Sequence, residues 1–461
     1  MKRQQTSPRD IAYDAFVQVM ESSADPDEVV ELLITEHGFN ELSRLDRRFI
    51  KELLFGSLRW YSKIYWILQN TSTRDLATLS PQVRAALLLG TYQIFYMDKV
   101  PDRAAVHESV EYIRKKGEAS AVGFVNGILR TIARRSEYFA KPDKERKPAE
   151  YLSLQYAHPR WLVDRWLNRF HFEKMKELLS SNNQPPPYFI RINTLQVPGE
   201  SIQSLRELLL KDENNHSEKK AIRSCLQLKQ SPLVGVGSLF QKGQFTIQDE
   251  ASQLIAPLLS PKEGEVIYDA CSGPGGKTGH IFELSGGLAR ITAVEKDPGQ
   301  IKKAQETFAR LTHNTRGEQV TWLEQDFLSF QPEEKADKIL LDAPCSGLGV
   351  IRRHPEGKWR KSPKSIPILS ALQEKLLAHA FSLLKPGGEL VYSVCSFEPE
   401  ETLHHLNWLE QQYKGSYELI SPSSRLPDYY KRFVTRENAL MIYSGNKDGM
   451  DGFGAFIIKK I

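Results

Sequence analysis

Two of the four cysteines in this chain stand at the ends of apolar runs that are typical of β-strands. The first run is Lys338-Ile-Leu-Leu-Asp-Ala-Pro-Cys-Ser-Gly347, and the second is Leu390-Val-Tyr-Ser-Val-Cys-Ser396. In an open α/β sheet the carboxyl ends of the strands form the ligand crevice. Two thiols there, one of them close to Asp342, indicate covalent chemistry on a substrate that must be activated before it reacts.

Methyl transfer to carbon is a reaction of this kind. The C5 carbon of a pyrimidine is a poor nucleophile, but addition of a thiolate to C6 turns the ring into an enamine that reacts at C5. The carboxyl group of Asp342 could stabilise charge near ring N3, and a second thiol could assist release. The alternative is that Cys345 and Cys395 are small buried hydrophobic residues, as many cysteines are. Their position among turn residues at strand ends favours chemistry.

A glycine-rich loop, Asp269-Ala-Cys-Ser-Gly-Pro-Gly-Gly-Lys-Thr278, lies between a predicted strand and a predicted helix. Three ligands compete for it. A phosphate-binding P-loop would need glycine where Cys271 stands, and Pro274 interrupts its row of amides. A dinucleotide fingerprint would need glycine where Thr278 stands. A nucleoside cofactor without phosphates, such as S-adenosylmethionine, needs the tight turn and a carboxylate after the next strand, where Glu295 stands.

On the third hypothesis a loop and three acids hold the cofactor. The predicted cofactor-binding residues are Cys271, Ser272, Gly273, Pro274, Gly275, Gly276, Lys277, Glu295, Asp326 and Asp342. Asp326, after the third strand, is a candidate for the adenine edge, and the competing interpretation is a helix cap.

Strands and helices alternate from about residue 248 to the end of the chain. Strands are predicted at Gly264–Asp269, Ile291–Glu295, Val320–Leu323, Ile339–Leu341, Glu389–Val394 and Ala455–Ile458, with a helix over Pro298–Leu311. Helix-length spacers between strands favour a parallel, doubly wound sheet. Residues 248–461 are therefore predicted to form an α/β, Rossmann-like domain.

The rest of the chain divides by composition. Residues 1–140 are predicted to form an all-α bundle of five to seven helices, one of them over Asp46–Leu68 and one starting at Ser80-Pro81. Residues 141–150 are charged and bounded by prolines, which indicates a linker. Residues 151–247 are predicted as a small α+β module. It has a helix over Trp161–Leu179, a strand over Tyr188–Asn193, a helix over Ser201–Leu210 and a polar loop over 211–220.

Composition limits the class of protein. The 461 residues carry a net charge of +5, which permits a nucleic-acid partner without requiring one. Cys225, Cys271, Cys345 and Cys395 are scattered without a CxxC pair, so neither a disulfide framework nor a metal site is expected. With no apolar run of membrane-spanning length and no secretory signal, we expect a cytoplasmic protein that does not contact membranes, with a monomer as the default.

The two cysteine motifs together resemble the RNA cytosine-C5 methyltransferases of the Nop/Sun family. In that family a Thr/Ser-Cys-Ser motif carries the nucleophile, which implies Cys395 here, and an Asp-Ala-Pro-Cys motif carries the acid and second cysteine, which implies Asp342 and Cys345. The loop 269–278 resembles the family's cofactor loop, with Ser272-Gly273 in place of Ala-Ala. The resemblance therefore implies S-adenosylmethionine as the cofactor and a cytosine as the target.

The N-terminal region resembles a second known domain. Phe124-Val-Asn-Gly-Ile-Leu-Arg130 and Pro101-Asp-Arg-Ala-Ala-Val-His-Glu-Ser-Val110 are similar to the NusB-type RNA-binding helical domain. A bacterial subgroup of the Nop/Sun family joins such a domain to the catalytic core and methylates small-subunit ribosomal RNA. The resemblance implies that this RNA is the partner.

A basic segment follows Cys345 and supplies the predicted RNA contacts. These are Arg352, Arg353, Lys358, Trp359 and Arg360, since cations neutralise phosphates and an aromatic ring can stack on a base. The competing interpretation is a solvated charged loop with the tryptophan packed inward. Two other functions remain open at this level: a P-loop nucleotide hydrolase, and a ribosome-assembly factor without catalytic activity.

Overall fold

The structure is a computed structural model that describes residues 7–37, 42–134, 142–210, 222, 224–228, 237–313, 319–445 and 447–461. The predicted polar loop at 211–220 lies outside these residues. The chain divides into two compact units. The first contains Met1–Gln184 and the short segment Ile351–Ser362, and the second contains Pro185–Val350 and Pro363–Ile461.

The helices are, in chain order, α1 (Pro8–Glu21), α2 (Pro26–Glu36), α3 (Arg44–Arg59), α4 (Tyr61–Thr71), α5 (Pro81–Tyr96), α6 (Asp102–Lys115), α7 (Val122–Arg134), α8 (Pro148–Gln155), α9 (Arg160–Leu167), α10 (Phe172–Asn182), α11 (Ile202–Leu210), α12 (Gly237–Gln241), α13 (Glu250–Gln253), α14 (Ile255–Leu259), α15 (Gly276–Leu284), α16 (Pro298–Thr312), α17 (Gly357–Arg360), α18 (Ser365–Leu383) and α19 (Leu403–Tyr413).

The strands are β1 (Tyr188–Ile192), β2 (Cys225–Leu228), β3 (Phe245–Ile247), β4 (Val266–Ala270), β5 (Arg290–Glu295), β6 (Val320–Glu324), β7 (Ala336–Asp342), β8 (Leu384–Val394), β9 (Tyr417–Ile420), β10 (Leu440–Ile442) and β11 (Phe453–Lys460).

The N-terminal bundle confirms the all-α prediction, with α1 to α7 among the described residues of 1–140. Its helices start where the sequence offers caps: the Ser80 hydroxyl accepts the Val83 amide hydrogen bond at 3.3 Å, with Pro81 at the first helical position. The prediction of a single helix over Asp46–Leu68 is wrong, because the helix is interrupted at Trp60, between α3 and α4. Trp60 leaves helical geometry there and stacks on Tyr96 with ring centres 4.8 Å apart. Tertiary packing thus overrides the continuous amphipathic pattern.

Two predicted elements between the bundle and the catalytic sheet are also revised. α8 begins at Pro148, inside the predicted linker, since proline is well suited to the first turn of a helix. The helix predicted over Trp161–Leu179 is two helices, α9 and α10, and the His171 side chain caps the second. The strand predicted at Tyr188–Asn193 is confirmed as β1, the centre of a three-stranded antiparallel sheet in the order β2-β1-β3.

The large sheet has the order β10-β11-β8-β7-β4-β5-β6, with β9 paired to β11. Strands β4 to β8 are parallel, as predicted. The prediction of a parallel sheet is wrong for β11, which is antiparallel to β8, and to β9 and β10, two strands that were not predicted. Parallel neighbours need a long crossover, usually a helix. The described chain between β9 and β11 has only β10 and short helical turns, so it cannot supply one.

Each unit has its own buried core. In the first, apolar faces of α1 to α7 pack together. In the second, α13 to α16 pack on the large sheet, and α11 packs on the small one. Among the described residues, none of the helices has the length and apolar character needed to cross a membrane.

Candidate active site

The carboxyl ends of the five parallel strands gather the predicted site residues at one edge of the large sheet. Because β4 lies between β7 and β5, the strand order reverses beside it, which creates the crevice where open α/β sheets bind ligands. Glu295 ends β5 and Asp342 ends β7. Cys271 follows β4 and Cys395 follows β8. Residues that are far apart in the sequence, at the ends of β4, β5, β7 and β8, therefore lie around one crevice.

The glycine loop connects β4 to α15 through three residues with left-handed backbone. Cys271, Gly273 and Gly275 have φ values of 59°, 53° and 77°. A side chain at Gly275 is also excluded sterically, because a Cβ atom would lie 2.8 Å from the Ala304 Cβ. The loop can therefore bring its backbone close to a ligand in front of the α15 N-terminus.

Glu295 ties the glycine loop to the end of β5. Its Oε2 accepts a 2.9 Å hydrogen bond from the Gly273 amide, and its Oε1 accepts bonds from the amides of Lys296 and Asp297 at 2.9 and 3.0 Å. Three backbone donors thus orient a partly exposed carboxylate at the crevice. Asp326 is exposed after β6, and its Oδ1 caps the following turn through the Leu328 amide at 2.9 Å. The helix-cap interpretation of Asp326 is confirmed, whereas contact with an adenine edge stays a prediction.

Cys271 lies among four acids. Burial, and the negative charges of Glu295, Asp342, Asp269 and Asp326, raise the pKa of its thiol to about 12. Cys271 therefore stays protonated at neutral pH and is not suited to be the nucleophile.

The lysine and threonine that end the glycine loop both have protein partners. The Lys277 ammonium donates to Asp342 Oδ2 at 2.5 Å, and the buried Thr278 hydroxyl donates to Asp269 Oδ2 at 2.6 Å. A P-loop would use this lysine on phosphates and this hydroxyl on Mg²⁺. With both groups engaged inside the protein, the geometry disfavours the P-loop alternative.

Asp342 is held from two sides at the end of β7. Besides the Lys277 bond, its Oδ1 accepts a 2.7 Å hydrogen bond from the Ser393 hydroxyl on the adjacent strand β8. Burial lowers the pKa of Lys277, but the charge of Asp342 and the hydrogen bond to it outweigh this effect, so the net pKa is raised. The result is a fixed ion pair with one partly exposed carboxylate.

The two sulfur atoms meet beyond the ends of β7 and β8. Cys345 Sγ and Cys395 Sγ are 3.2 Å apart, and both residues are partly exposed. The hydrogen bond with Cys395, then burial, then the nearby negative charges of Cys395 and Glu401, raise the pKa of Cys345 well above its ordinary value. The positive charge of Lys277 interacts with Cys395. A thiol with a raised pKa stays protonated, so Cys345 can donate a hydrogen bond to the Cys395 sulfur.

A glycine loop on the other side holds the Cys395 backbone. The Gly349 amide donates to the Cys395 carbonyl oxygen at 3.0 Å, and the Gly349 carbonyl accepts from the Gly452 amide at 2.8 Å. A Cβ at Gly349 would lie 2.1 Å from the Gly452 carbonyl oxygen. This close backbone approach leaves room only for glycine at positions 349 and 452.

The basic segment predicted to contact RNA belongs to the first unit, and the structure gives three of its residues protein partners there. Lys358 is fully buried and donates to the carbonyl oxygens of Arg59 and Ala157 and to Asn183 Oδ1, at 2.7, 2.9 and 3.1 Å. Trp359 Nε1 donates to the Leu58 carbonyl at 2.7 Å.

Arg360 Nη2 completes this set. It donates to the carbonyls of Val19 and Ala24, at 2.7 and 2.9 Å. Arg352 is also buried, and Arg353 is partly exposed. Contact with RNA stays a prediction for this segment.

Two features of the site were not predicted from the sequence. One is the ion pair between Lys277 and Asp342. The other is buried Glu401, which accepts hydrogen bonds from the residues that follow both cysteines. The run Glu398-Pro-Glu-Glu401 just after Cys395 was a possible signal, but acidic residues in turns are usually solvated. The described residues hold no group of three or more His, Cys, Asp or Glu that could bind a metal.

Family comparisons match the whole architecture. A family model described as 16S rRNA methyltransferase RsmB/F matches residues 256–456. The NusB family matches residues 6–134, and a ferredoxin-like domain of RsmF/B-like methyltransferases matches residues 158–234.

Individual relatives match across most of their length. The chain is 32% identical over 449 residues to the probable ribosomal RNA small subunit methyltransferase B of Bacillus subtilis (strain 168), covering 97% of both. It is 32% identical over 403 residues to the ribosomal RNA small subunit methyltransferase B of Shigella flexneri, covering 87% of this chain and 89% of that protein.

Solved structures share the fold. The crystal structure of PH0851 superposes over 100% of both chains with a TM-score of 0.81 at 24% identity. A methyltransferase homolog from Pyrococcus horikoshii covers 67% of this chain and 98% of its own, with a TM-score of 0.55 at 27% identity.

Proposed function

This chain belongs to the 16S rRNA methyltransferase RsmB/F family, and we propose that it transfers a methyl group from S-adenosylmethionine to C5 of a cytosine in small-subunit ribosomal RNA. Membership is carried by a relative that is 32% identical across 97% of the chain. This match confirms that the chain resembles the bacterial RsmB subgroup of the Nop/Sun family. The cofactor, the target atom and the covalent step are our proposal.

The glycine loop fits S-adenosylmethionine by its donors and by its shape. The buried Ser272 hydroxyl has no hydrogen-bond partner in the described part of the chain, which leaves it available to a ligand. The backbone at Gly275 packs so closely on Ala304 and Trp322 that no side chain fits there, which fixes the turn of the loop. Bound there, S-adenosylmethionine supplies an electrophilic methyl group on a sulfonium. We assign the loop 271–277 to holding the cofactor, Glu295 to its ribose hydroxyls and Asp326 to its adenine edge.

Cys395 is the proposed nucleophile. Its sulfur adds to C6 of the cytosine, which makes C5 reactive toward the methyl group. After transfer the C5 proton leaves and the bond between sulfur and C6 breaks, which restores the aromatic ring. The charge of Cys395 raises the pKa of Lys277, so the Lys277 ammonium lies close enough to interact with the proposed nucleophile.

Cys345 is the proposed partner in product release. Its raised pKa keeps it protonated, so its thiol can donate a hydrogen bond to the Cys395 sulfur 3.2 Å away. Such a bond stabilises the departing thiolate when the adduct breaks. Cys345 is less suited to be the nucleophile for the same reason.

Asp342 is the proposed contact to the base at N3. Lys277 and Ser393 fix both of its oxygens, which orients the carboxyl group before the base arrives. Negative charge develops at N3 as the thiolate adds to C6, so in this role Asp342 passes to N3 a proton that it takes from the Lys277 ammonium hydrogen-bonded to it.

The cytosine must be unpaired or flipped out of a helix to reach Cys395. Among the predicted RNA contacts, Arg352 and Lys358 are buried, and Lys358 and Trp359 donate to protein carbonyls, so these three are the weaker candidates. Arg353 and the exposed Arg360 remain predicted contacts.

The observation that carries this proposal is the 3.2 Å approach of the two cysteine sulfurs beside the Lys277–Asp342 pair. The test is incorporation of labelled methyl groups from S-adenosylmethionine into unmodified small-subunit RNA, with the modified base identified by mass spectrometry. We expect 5-methylcytosine with the unmodified chain, no turnover with Cys395→Ala, and a denaturant-stable protein–RNA adduct that accumulates with Cys345→Ala.

Cys225→Ala is the matched control, because Cys225 is a buried cysteine in β2. It should keep full activity. Turnover by Cys395→Ala would overturn the nucleophile assignment, and methylation at a base other than cytosine would overturn the proposed substrate. RNA binding by an intact protein that transfers no methyl group would favour the assembly-factor alternative.

A further inference from the structure

Glu401 is a fully buried carboxylate in the turn that follows β8. It accepts hydrogen bonds from the Ser346 amide at 2.7 Å, the Ser346 hydroxyl at 2.5 Å and the Ser396 hydroxyl at 2.6 Å. A fourth, from Gln373 Nε2, is 3.3 Å long. Burying a carboxylate is costly unless donors of this kind surround it. Such a site in the protein interior points to a specific role.

The bonded serines mirror the two cysteines. Ser346 follows Cys345 and Ser396 follows Cys395, and the two hydroxyl oxygens are 3.2 Å apart, the same separation as the two sulfurs. The cysteine pair and the serine pair each place a residue of the turn after β7 next to a residue of the turn after β8. Since one carboxylate binds both serines, it restrains both turns at the position next to the sulfur.

Glu401 is itself anchored to the elements that carry the cysteines. Its carbonyl oxygen accepts a 2.8 Å hydrogen bond from the Tyr392 hydroxyl in β8. Gln373 in α18 donates to both Glu401 and the carbonyl of Pro344, which precedes Cys345, and its own Oε1 pairs with His405 at 2.9 Å. The carboxylate therefore belongs to a fixed network and cannot follow one turn independently of the other.

We propose that Glu401 is a positioning residue that sets the separation and orientation of the Cys345 and Cys395 sulfurs by binding Ser346 and Ser396 together. In the reaction proposed above, on which this inference rests, that separation decides whether Cys345 can donate to the Cys395 sulfur as the adduct breaks. Glu401 touches neither sulfur among its hydrogen bonds, so it acts through the two serines. Its negative charge also helps to keep Cys345 protonated.

The spacing of the sulfurs can be measured without any substrate. The oxidant diamide takes two hydrogen atoms from a pair of thiols, giving one disulfide and the reduced hydrazine. The rate at which Cys345 and Cys395 become crosslinked depends on the distance between their sulfur atoms and on the orientation of the two side chains. We would follow this rate by mass spectrometry of the intact chain in Cys225→Ala background, and measure kcat and KM for methyl transfer on the same preparations.

Glu401→Gln keeps the shape of the side chain but turns an amide donor toward hydroxyls that already donate. We expect disulfide formation and kcat each to fall by about tenfold or more, while KM for S-adenosylmethionine changes by less than about twofold. Glu250→Gln is the matched control, since Glu250 is another fully buried acid of the same unit, bonded to the Tyr430 hydroxyl. Its rates should match those of the unmodified chain.

Ser346→Ala and Ser396→Ala provide a second route if Glu401→Gln fails to fold. Each removes one hydroxyl, and their effects on the disulfide rate should be less than additive with each other because one carboxylate serves both. The inference would be overturned if folded Glu401→Gln formed the disulfide at the native rate and kept the native kcat, with only its melting temperature lowered. A slowed disulfide rate in a chain whose methyl transfer does not depend on Cys395 would instead sink the proposed reaction and leave the positioning role standing.

Discussion

Two lysines, one partly exposed and one fully buried, show how the catalytic crevice and the helical unit use the same side chain differently. Lys277 is paired with the carboxylate of Asp342, and its pKa is raised because that charge outweighs the effect of burial. Lys358 donates to neutral oxygens of Arg59, Ala157 and Asn183. Burial, and the charge of Arg59, lower its pKa well below the ordinary value. Lys277 therefore has a carboxylate partner, whereas the partners of Lys358 are uncharged oxygens that accept its three hydrogen bonds.

The partners of Lys358 explain why a basic segment is useful inside the helical unit. Arg59 is the last residue of α3, so Lys358 and the neighbouring indole of Trp359 satisfy carbonyls at the α3 C-terminus. Arg360 does the same for the carbonyl of Val19 in the last turn of α1 and for that of Ala24 just after the helix. The last carbonyls of a helix lack partners within it and attract cations. The two regions therefore differ in purpose: one lysine orients a reacting carboxylate, and the other completes a fold.

The largest expected effect is on activity in the crevice. Lys277→Met leaves the Asp342 carboxylate without its cation and Cys395 without a nearby positive charge. We expect kcat for methyl transfer to fall by roughly a thousandfold, because preorganised charge is usually the largest contribution to catalysis. Lys385→Met removes a partly exposed ion pair with Asp337, away from the crevice residues, and should leave kcat unchanged. If Lys277→Met kept kcat within about twofold, Lys277 would have no catalytic role to distinguish it from Lys358.

In the helical unit the corresponding change should affect stability instead. Lys358→Met keeps most of the side-chain volume but leaves three buried acceptors without donors, at a cost of about 3 kcal/mol. Hydrogen exchange of peptides from α3 should report a lower free energy of local opening, with little change for the exposed Lys364→Met. If Lys358→Met instead weakened RNA binding at unchanged stability, the side chain would be an RNA contact after all.

Asp269 provides the acidic counterpart of Lys358 within the catalytic unit. Its described hydrogen bond is from the neutral Thr278 hydroxyl, and burial, with the charge of Asp342 adding to it, raises the pKa of Asp269 to about 7. The folded protein thus binds a proton that the unfolded chain has lost above its ordinary pKa of 3.8. Stability must therefore fall as pH rises through this window.

We expect the free energy of unfolding to fall by about 2 kcal/mol between pH 5 and 7 because of this residue. Asp269→Asn cannot titrate and should lack that part of the pH dependence in urea unfolding followed by circular dichroism. Identical pH profiles for the two proteins would mean that Asp269 is ionised in the fold, despite its neutral partner.

The smallest expected effect concerns one hydrogen bond. Trp359→Phe keeps a ring beside Tyr61, whose centre is 5.2 Å away, but loses the donor to the Leu58 carbonyl. We expect a loss of about 1 kcal/mol in the opening free energy of α3 and no change in KM for RNA. A raised KM for RNA with unchanged opening would instead indicate that the ring stacks on a base.

Sequence alone determined the catalytic architecture, because parallel strands bring their carboxyl ends to one edge whatever their packing details. Asp342, Cys345 and Cys395 could thus be placed together, and the glycine loop could be placed beside them. Tertiary structure decided what local pattern leaves open: the direction of β9 to β11, the break at Trp60, the pairing of Lys277 with Asp342, the burial of Lys358 and the role of Glu401. A charged residue looks the same in sequence whether it is solvated or buried, since its partners lie far away along the chain and only folding brings them near.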